Sequence, residues 1–202
     1  MPEAERAEKP EIIQWIEKNP YKGFTYKEYK KWNETRVELI DGLVYMMASP
    51  DEWHQWVSGE LLNQLKDQLK GRICTPYGAP LDVRLFYEED ESDKTVIQPD
   101  IFVICDESKI KGLKFCKGAP DFIIEILSDF SRGRDFIDKK IKYEKAGVRE
   151  YWIVSKDHVH RNILIDGVYQ EKVYPITKSL TLEIDSLKDC KLSFGSVVER
   201  YQ

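Results

Sequence analysis

Glu125 interrupts an otherwise apolar run, FIIEIL over residues 122–127, and that placement constrains the fold more than any other feature of the chain. A continuous apolar run of this kind reads as a strand covered on both faces, inside a layered protein. An ionised carboxylate there is very costly unless a metal, a cation or several donors meet it. Asp100 repeats the pattern in QPDIFVIC, where Pro99 marks a strand start or an irregularity because proline cannot donate to a ladder. Asp82 in PLDVRLF and Glu38 in RVELI extend it, so separate β-segments each carry one acid among apolar neighbours. Carboxylates converging from neighbouring strands supply the hard oxygen donors that magnesium prefers. For Asp82, a structural pair with Arg84 on the same strand face explains the acid as well as a functional role does.

A lysine on a following helix can complete such chemistry. The helix is expected over residues 134–146 and ends at Gly147, where a C-terminal glycine is favoured. Asp135, Lys139 and Tyr143 recur four apart on one face. Lys139 can either reach the sheet, to orient a water and offset phosphate charge, or pair with Asp135 in solvent; spacing leaves both open. Ile137 and Ile141 are expected to form the stripe that packs on the sheet.

The remaining elements surround these. Residues 1–20 read as a polar extension with a short helix around Ile12, Ile13 and Ile16, and residues 21–202 as one domain. Thr25 and Glu28 form a capping box, and Asp41-Gly42 joins two β-rich runs as a hairpin. Apolar positions four apart predict a helix over 51–69. Strands follow at 80–86, 95–105 and 119–127, then EYWIV and two or three more strands. Strands, a crossover helix and another strand describe an α/β (α+β) protein around a mixed sheet flanked by helices.

Net charge is −5, which argues against a general nucleic-acid coat but not against an enzyme that meets phosphate locally. The basic residues Arg132, Arg134, Lys139, Lys140, Lys142, Lys145 and Arg149 cluster along one stretch. The charged N-terminus is neither signal nor anchor, and no apolar stretch is long enough to span a bilayer. Scattered Cys74, Cys105, Cys116 and Cys190 argue against a zinc site or disulfide framework and for reduced thiols in the cytoplasm.

The ordered set VELIDGLVY, SPDEWHQWVSGEL, PLDVRL, VIQPDIFVICD, GAPDFIIEILS, RDFIDKKIKYEKAGVREYWIV and SLTLEIDSL resembles the Uma-two family. That family lies within the PD-(D/E)xK restriction-endonuclease-like group, and the resemblance runs from about Phe24 to Leu187. It implies a core sheet flanked by helices, a divalent metal (Mg2+ or Mn2+) and hydrolysis of DNA phosphodiester bonds. The family's aspartate after Gln-Pro falls on Asp100 and its strand glutamate on Glu125. The usual lysine position two residues on is Leu127, so the lysine comes instead from the helix, four before Tyr143, at Lys139. Glu38, His54 and Asp82 match the remaining polar positions. SDFSRGRD and VSK depart from the more usual SPSTxxRD and VDP, which alters a loop beside the site without removing a ligand.

The resulting expectation is a catalytic set of Asp100, Glu125, Lys139 and Glu38, a metal held by Asp100, Glu125 and Asp82, and substrate contacts from His54 and Arg134. Asp121 is excluded from the metal set, because residues four apart on a strand are about 13 Å apart; it reads as a strand-start residue. His158 and His160 share a face without a third ligand in view. A homodimer is expected, with Trp15, Trp32 and Trp56 open to either interface or core roles. Two rivals are a binding or regulatory protein that keeps the nuclease fold without cleaving, and hydrolysis of some other phosphodiester.

Overall fold

The computed structural model describes residues 23–32, 36–47, 49–127 and 134–201, with backbone alone for Arg134, Asp135 and Phe136. The expected N-terminal helix and Trp15 lie outside the described residues.

Two sheets stack to form the protein. The first is ordered β2 (Leu43–Met46), β1 (Val37–Ile40), β5 (Val96–Ile97), β4 (Asp82–Arg84) and β7 (Phe115–Lys117). The second is ordered β11 (Val168–Pro175), β10 (His158–Ile165), β9 (Glu150–Val154), β8 (Phe122–Ile126), β6 (Ile101–Ile104) and β3 (Thr75–Gly78). A separate hairpin pairs β12 (Thr181–Glu183) with β13 (Lys191–Ser193). Helices α1 (Tyr26–Tyr29), α2 (Glu52–Leu69), α3 (Lys140–Ala146) and α4 (Gly195–Tyr201) complete the described elements. No helix among the described residues is long and apolar enough to cross a membrane.

Strand alternation sorts the core into layers. Ile40, Val83 and Ile97 of the first sheet pack between the sheets against Phe102, Ile123 and Ile153 of the second. The second sheet's other face, with Ile101, Val103, Ile124 and Trp152, is covered by Val57, Leu61 and Leu65 of α2 and by the β12–β13 hairpin. Truncating Leu61 or Leu65, both fully buried, costs about 2–5 kcal/mol. The outer face of the first sheet, with Val37, Leu39 and Val96, is covered by α1 through Tyr26 and Tyr29. Gln64 and Gln68 of α2 each use both ends of the amide on the backbone of Ser193 and Lys191, which satisfies the open edge of β13.

Local expectations hold where chain chemistry decides them. Thr25 N–H donates to Glu28 at 3.1 Å, and Asp41 and Gly42 both have positive φ in the β1–β2 turn, as a two-residue hairpin requires. Gly147 ends α3 in the left-handed region.

Several expectations are corrected. The run 95–105 is not one strand: it breaks around Pro99, so β5 belongs to one sheet and β6 to the other. Strands β3 and β7 are additional, four strands rather than two or three follow β9, and α4 closes the described chain. The expected helix opens with a π-helical turn over Arg134–Lys139 before α3. Ile137 and Ile141 are not its buried stripe; they are 61% and 43% exposed, while Lys139 and Tyr143 face inward. Cys74 and Cys105 form a disulfide, because the β3–β6 pairing of Thr75 with Ile104, carried one residue further, sets them opposite each other. Cys116 and Cys190 are buried free thiols.

Candidate active site

Glu125 lies in β8, and its side chain points between the two sheets, on the face shared by Ile123 and Leu127. The β6–β8 pairing of Ile101 with Ile124, carried one residue back along β6, sets Asp100 opposite Glu125. Asp100 Oδ2 accepts from the Ile126 N–H at 2.7 Å, which ties it to the residue following Glu125. Two acids from neighbouring segments are thereby fixed at one end of the second sheet.

Lys139 supplies the cation. Its ammonium lies 2.9 Å from Glu125 Oε1 and 2.9 Å from Glu38 Oε1, and all three side chains are almost fully buried. Glu38 reaches this point because β1 turns Glu38 and Ile40 toward the second sheet while Val37 and Leu39 face α1. The Tyr143 hydroxyl also donates to Glu125 Oε1, at 2.7 Å. Burial, with the Glu125 charge adding, pushes the Tyr143 phenol well above its ordinary value and keeps it a donor. Lys140 points elsewhere and pairs with Glu171 at 2.7 Å, and Lys142 pairs with Asp41 on the β1–β2 turn at 2.5 Å.

His54 stands in the first turn of α2, whose N-cap Asp51 accepts from the His54 N–H at 2.8 Å. Its Nε2 lies 3.0 Å from Asp100 Oδ2. Facing an acceptor, Nε2 must carry the proton. Asp100 is thus oriented by a helix start on one side and a strand amide on the other. Its side chain is 16% exposed against 4% for Glu125, so Asp100 is where the site meets solvent.

Asp82 is held apart from this set. It precedes Val83, which packs between the sheets, so Asp82 points to the opposite face, toward α1. Its Oδ1 accepts from the Tyr29 hydroxyl at 3.0 Å and from Gln98 Nε2 at 2.8 Å. Gln98 links the two faces, because its backbone N–H donates to Glu38 Oε1 at 3.0 Å. The alternative pairing of Asp82 with Arg84 does not form; Arg84 binds Asp93 and stacks on Tyr26 and Tyr87. Asp121 serves structure, accepting from Cys105 N–H and Arg149, and His160 pairs with Glu171. Trp32 packs on Phe24 and Tyr29, and Trp56 on Tyr201. The Arg134 side chain lies outside the described ones.

Among the described residues no three His, Cys, Asp or Glu side chains converge as a metal cluster, so Asp100, Glu125 and Asp82 do not assemble as a set. Asp100 and Glu125 still fit magnesium or manganese chemically. Both offer hard oxygens, and no hydrogen bond among the described residues reaches Asp100 Oδ1. Magnesium typically takes only one or two protein carboxylates and completes its shell with water and phosphate. Tyr143, Gln98 and Tyr29 were not expected in polar roles; only Tyr143 had a signal, four residues from Lys139.

The model of the Uma2 family, described as "Putative restriction endonuclease", matches residues 26–193. No curated protein matches the chain. Among solved structures, one described as a putative nuclease belonging to DUF820 from Anabaena variabilis ATCC 29413 superposes with a TM-score of 0.70 at 20% identity. The match covers 87% of this chain and 98% of that one, a likeness of fold.

Proposed function

The chain belongs to the Uma2 family, and from that premise we propose that it is a metal-dependent endonuclease that hydrolyses DNA phosphodiester bonds. The observation that carries this reading is the Lys139 ammonium set between buried Glu38 and Glu125, beside the solvent-reaching Asp100. Asp100 and Glu125 are the residues that would hold magnesium or manganese. When bound, such an ion supplies charge stabilisation at phosphate and a more acidic water. Lys139 orients the attacking water and offsets phosphate charge, with Glu38 and Tyr143 fixing where that ammonium and the Glu125 carboxylate stand. His54 holds Asp100 in place and would meet the phosphate from beside it; Arg134 lies in the basic stretch that would meet the backbone.

Cleavage of supercoiled, linear and branched DNA with and without Mg2+ tests this, with Glu125→Gln as the control. Product in the parent alone, and only with metal, is the expected outcome; equal product from Glu125→Gln would remove the mechanism. A second reading, a nucleic-acid-binding protein that does not cleave, draws on the Glu125 carboxylate, which already pairs with Lys139 at 2.9 Å and accepts from Tyr143 at 2.7 Å. Binding without product in the same assay would establish it. Two copies would present one site to each strand, and sedimentation velocity at micromolar concentration distinguishes that homodimer from a monomer.

A further inference from the structure

A cavity of about 440 Å³ lies on the outer face of the first sheet, lined by Tyr29, Trp32, Asp82, Gln98, Lys30 and Lys114 among others. It sits where β1 begins, β5 ends and β4 begins, the same end of the sheet from which the chain crosses to Asp100. Gln98, at the cavity, and Asp100, at the candidate active site, are two residues apart on the segment by which the chain passes from β5 to β6. The Gln98 N–H also donates to Glu38 Oε1 at 3.0 Å, so one residue joins the cavity to the candidate active site.

The lining selects a ligand class. Trp32 is half-buried at the cavity, its ring 5.5 Å from that of the more deeply buried Tyr29, so the lining includes two aromatic side chains. The Gln98 amide must turn its NH2 toward Asp82 Oδ1, which leaves Gln98 Oε1 as an acceptor. Among the described residues no hydrogen bond reaches that oxygen or Asp82 Oδ2. The polar groups left for a ligand are thus acceptors, which call for a ligand with N–H donors. Aromatics with a carboxylate alone would equally suit an ammonium group. Of the two exposed lysines at the cavity, Lys30 is neutralised by Glu91, while Lys114, with no partner among the described residues, opposes a cation and favours an anion alongside. A flat donor-bearing ring attached to an anionic backbone meets all three demands. The volume falls within the roughly 300–1,000 Å³ of small-molecule sites.

We propose that this cavity is a base-binding subsite, which takes one unpaired, amino-bearing nucleobase of the strand whose phosphate lies at Asp100 and Glu125. The proposal rests on the nuclease reading for the identity of that strand. Adenine, cytosine and guanine present amino groups to Asp82 and Gln98. Thymine places carbonyl oxygens on either side of its single N–H, and these would face the same acceptors.

The test is fluorescence anisotropy of full-length protein in EDTA, with fully paired duplex and with duplexes carrying a single bulged A, C, G or T. Parent protein should bind the A, C and G bulges more tightly than the T bulge and the paired duplex. Trp32→Ala should lose roughly tenfold on the first three, the size expected of one stacked base, and bind paired duplex as before. Lys114→Ala, at an exposed position that cannot disturb packing, should weaken bulge binding severalfold. Parent that binds all five probes alike, with Trp32→Ala unchanged, overturns the subsite alone, and metal-dependent cleavage of paired duplex would then still stand. Parent that binds no probe overturns the subsite and the DNA reading together.

Discussion

The Lys139 ammonium lies 2.9 Å from Glu125 Oε1 with both side chains shielded from water, so each charge depends on the other. Glu38 shares the same ammonium at 2.9 Å. Removing one member of a buried pair leaves an uncompensated charge and costs about 3–5 kcal/mol. Lys139→Ala should therefore lose stability on that scale as well as activity. Glu125→Gln in the same chain should recover part of the loss. Urea denaturation of both single variants and the double variant measures it, and additive losses would show that the pair is not coupled.

Tyr143 holds Glu125 by a hydrogen bond of 2.7 Å from a fully buried hydroxyl. Tyr143→Phe keeps the ring that packs on Tyr151 and removes only the donor. A bond to a charged acceptor contributes about 1.5–3 kcal/mol, so the melting temperature should fall by several degrees. Cleavage should slow about tenfold through kcat with little change in KM, since the Glu125 carboxylate loses its fixed orientation. A KM effect alone would mean that Tyr143 acts on substrate binding instead.

Much of this site was readable because burial and ionisation conflict. An acid in FIIEIL or QPDIFVIC demands a partner, and that demand points to Asp100 and Glu125 without any structure. Lys139 could not be chosen over its neighbours by spacing alone, because Ile137 and Ile141 offered an apolar stripe on another side. The structure exposes those isoleucines and buries Lys139 and Tyr143 instead, so satisfying the acids of the sheet outweighs burying two aliphatic side chains. Asp82 misled for a different reason. Strand alternation sets it on the face opposite Glu38, but which face of β4 turns inward depends on sheet pairing that the local sequence does not carry. The disulfide was hidden likewise, since Cys74 and Cys105 are 31 residues apart and meet only through the β3–β6 register.

His54 and the Ile126 N–H both bind Asp100 Oδ2, so His54 should tune metal affinity without touching metal. Loss of such a supporting contact typically costs 10–100-fold in affinity. Calorimetric titration of Mn2+ into His54→Ala should show a loss in that range, and His54→Gln, which keeps an N–H donor, should recover part of it. Equal Mn2+ affinity in parent and His54→Ala would remove the positioning role.

Burial raises the Asp82 carboxyl above its ordinary value, opposed by its hydrogen bonds from Gln98 and Tyr29 and reinforced by the charge of Glu38. The folded protein therefore keeps this proton to a higher pH than the unfolded chain does. Above the unfolded value of about 4, the folded state binds more protons than the unfolded one. Stability from this group accordingly falls as pH rises through the raised value, and the penalty is complete beyond it. Asp82→Asn preserves an Oδ1 acceptor for Tyr29 and Gln98 and removes the charge. At pH 7 the variant should melt higher than the parent, since it is spared the cost of the buried charge. The difference should shrink toward pH 3, where the carboxyl is protonated in both states. Thermal melts of parent and variant across pH 3 to 8 decide it, and a variant that melts lower than parent at pH 7 would show that the Asp82 charge stabilises the fold.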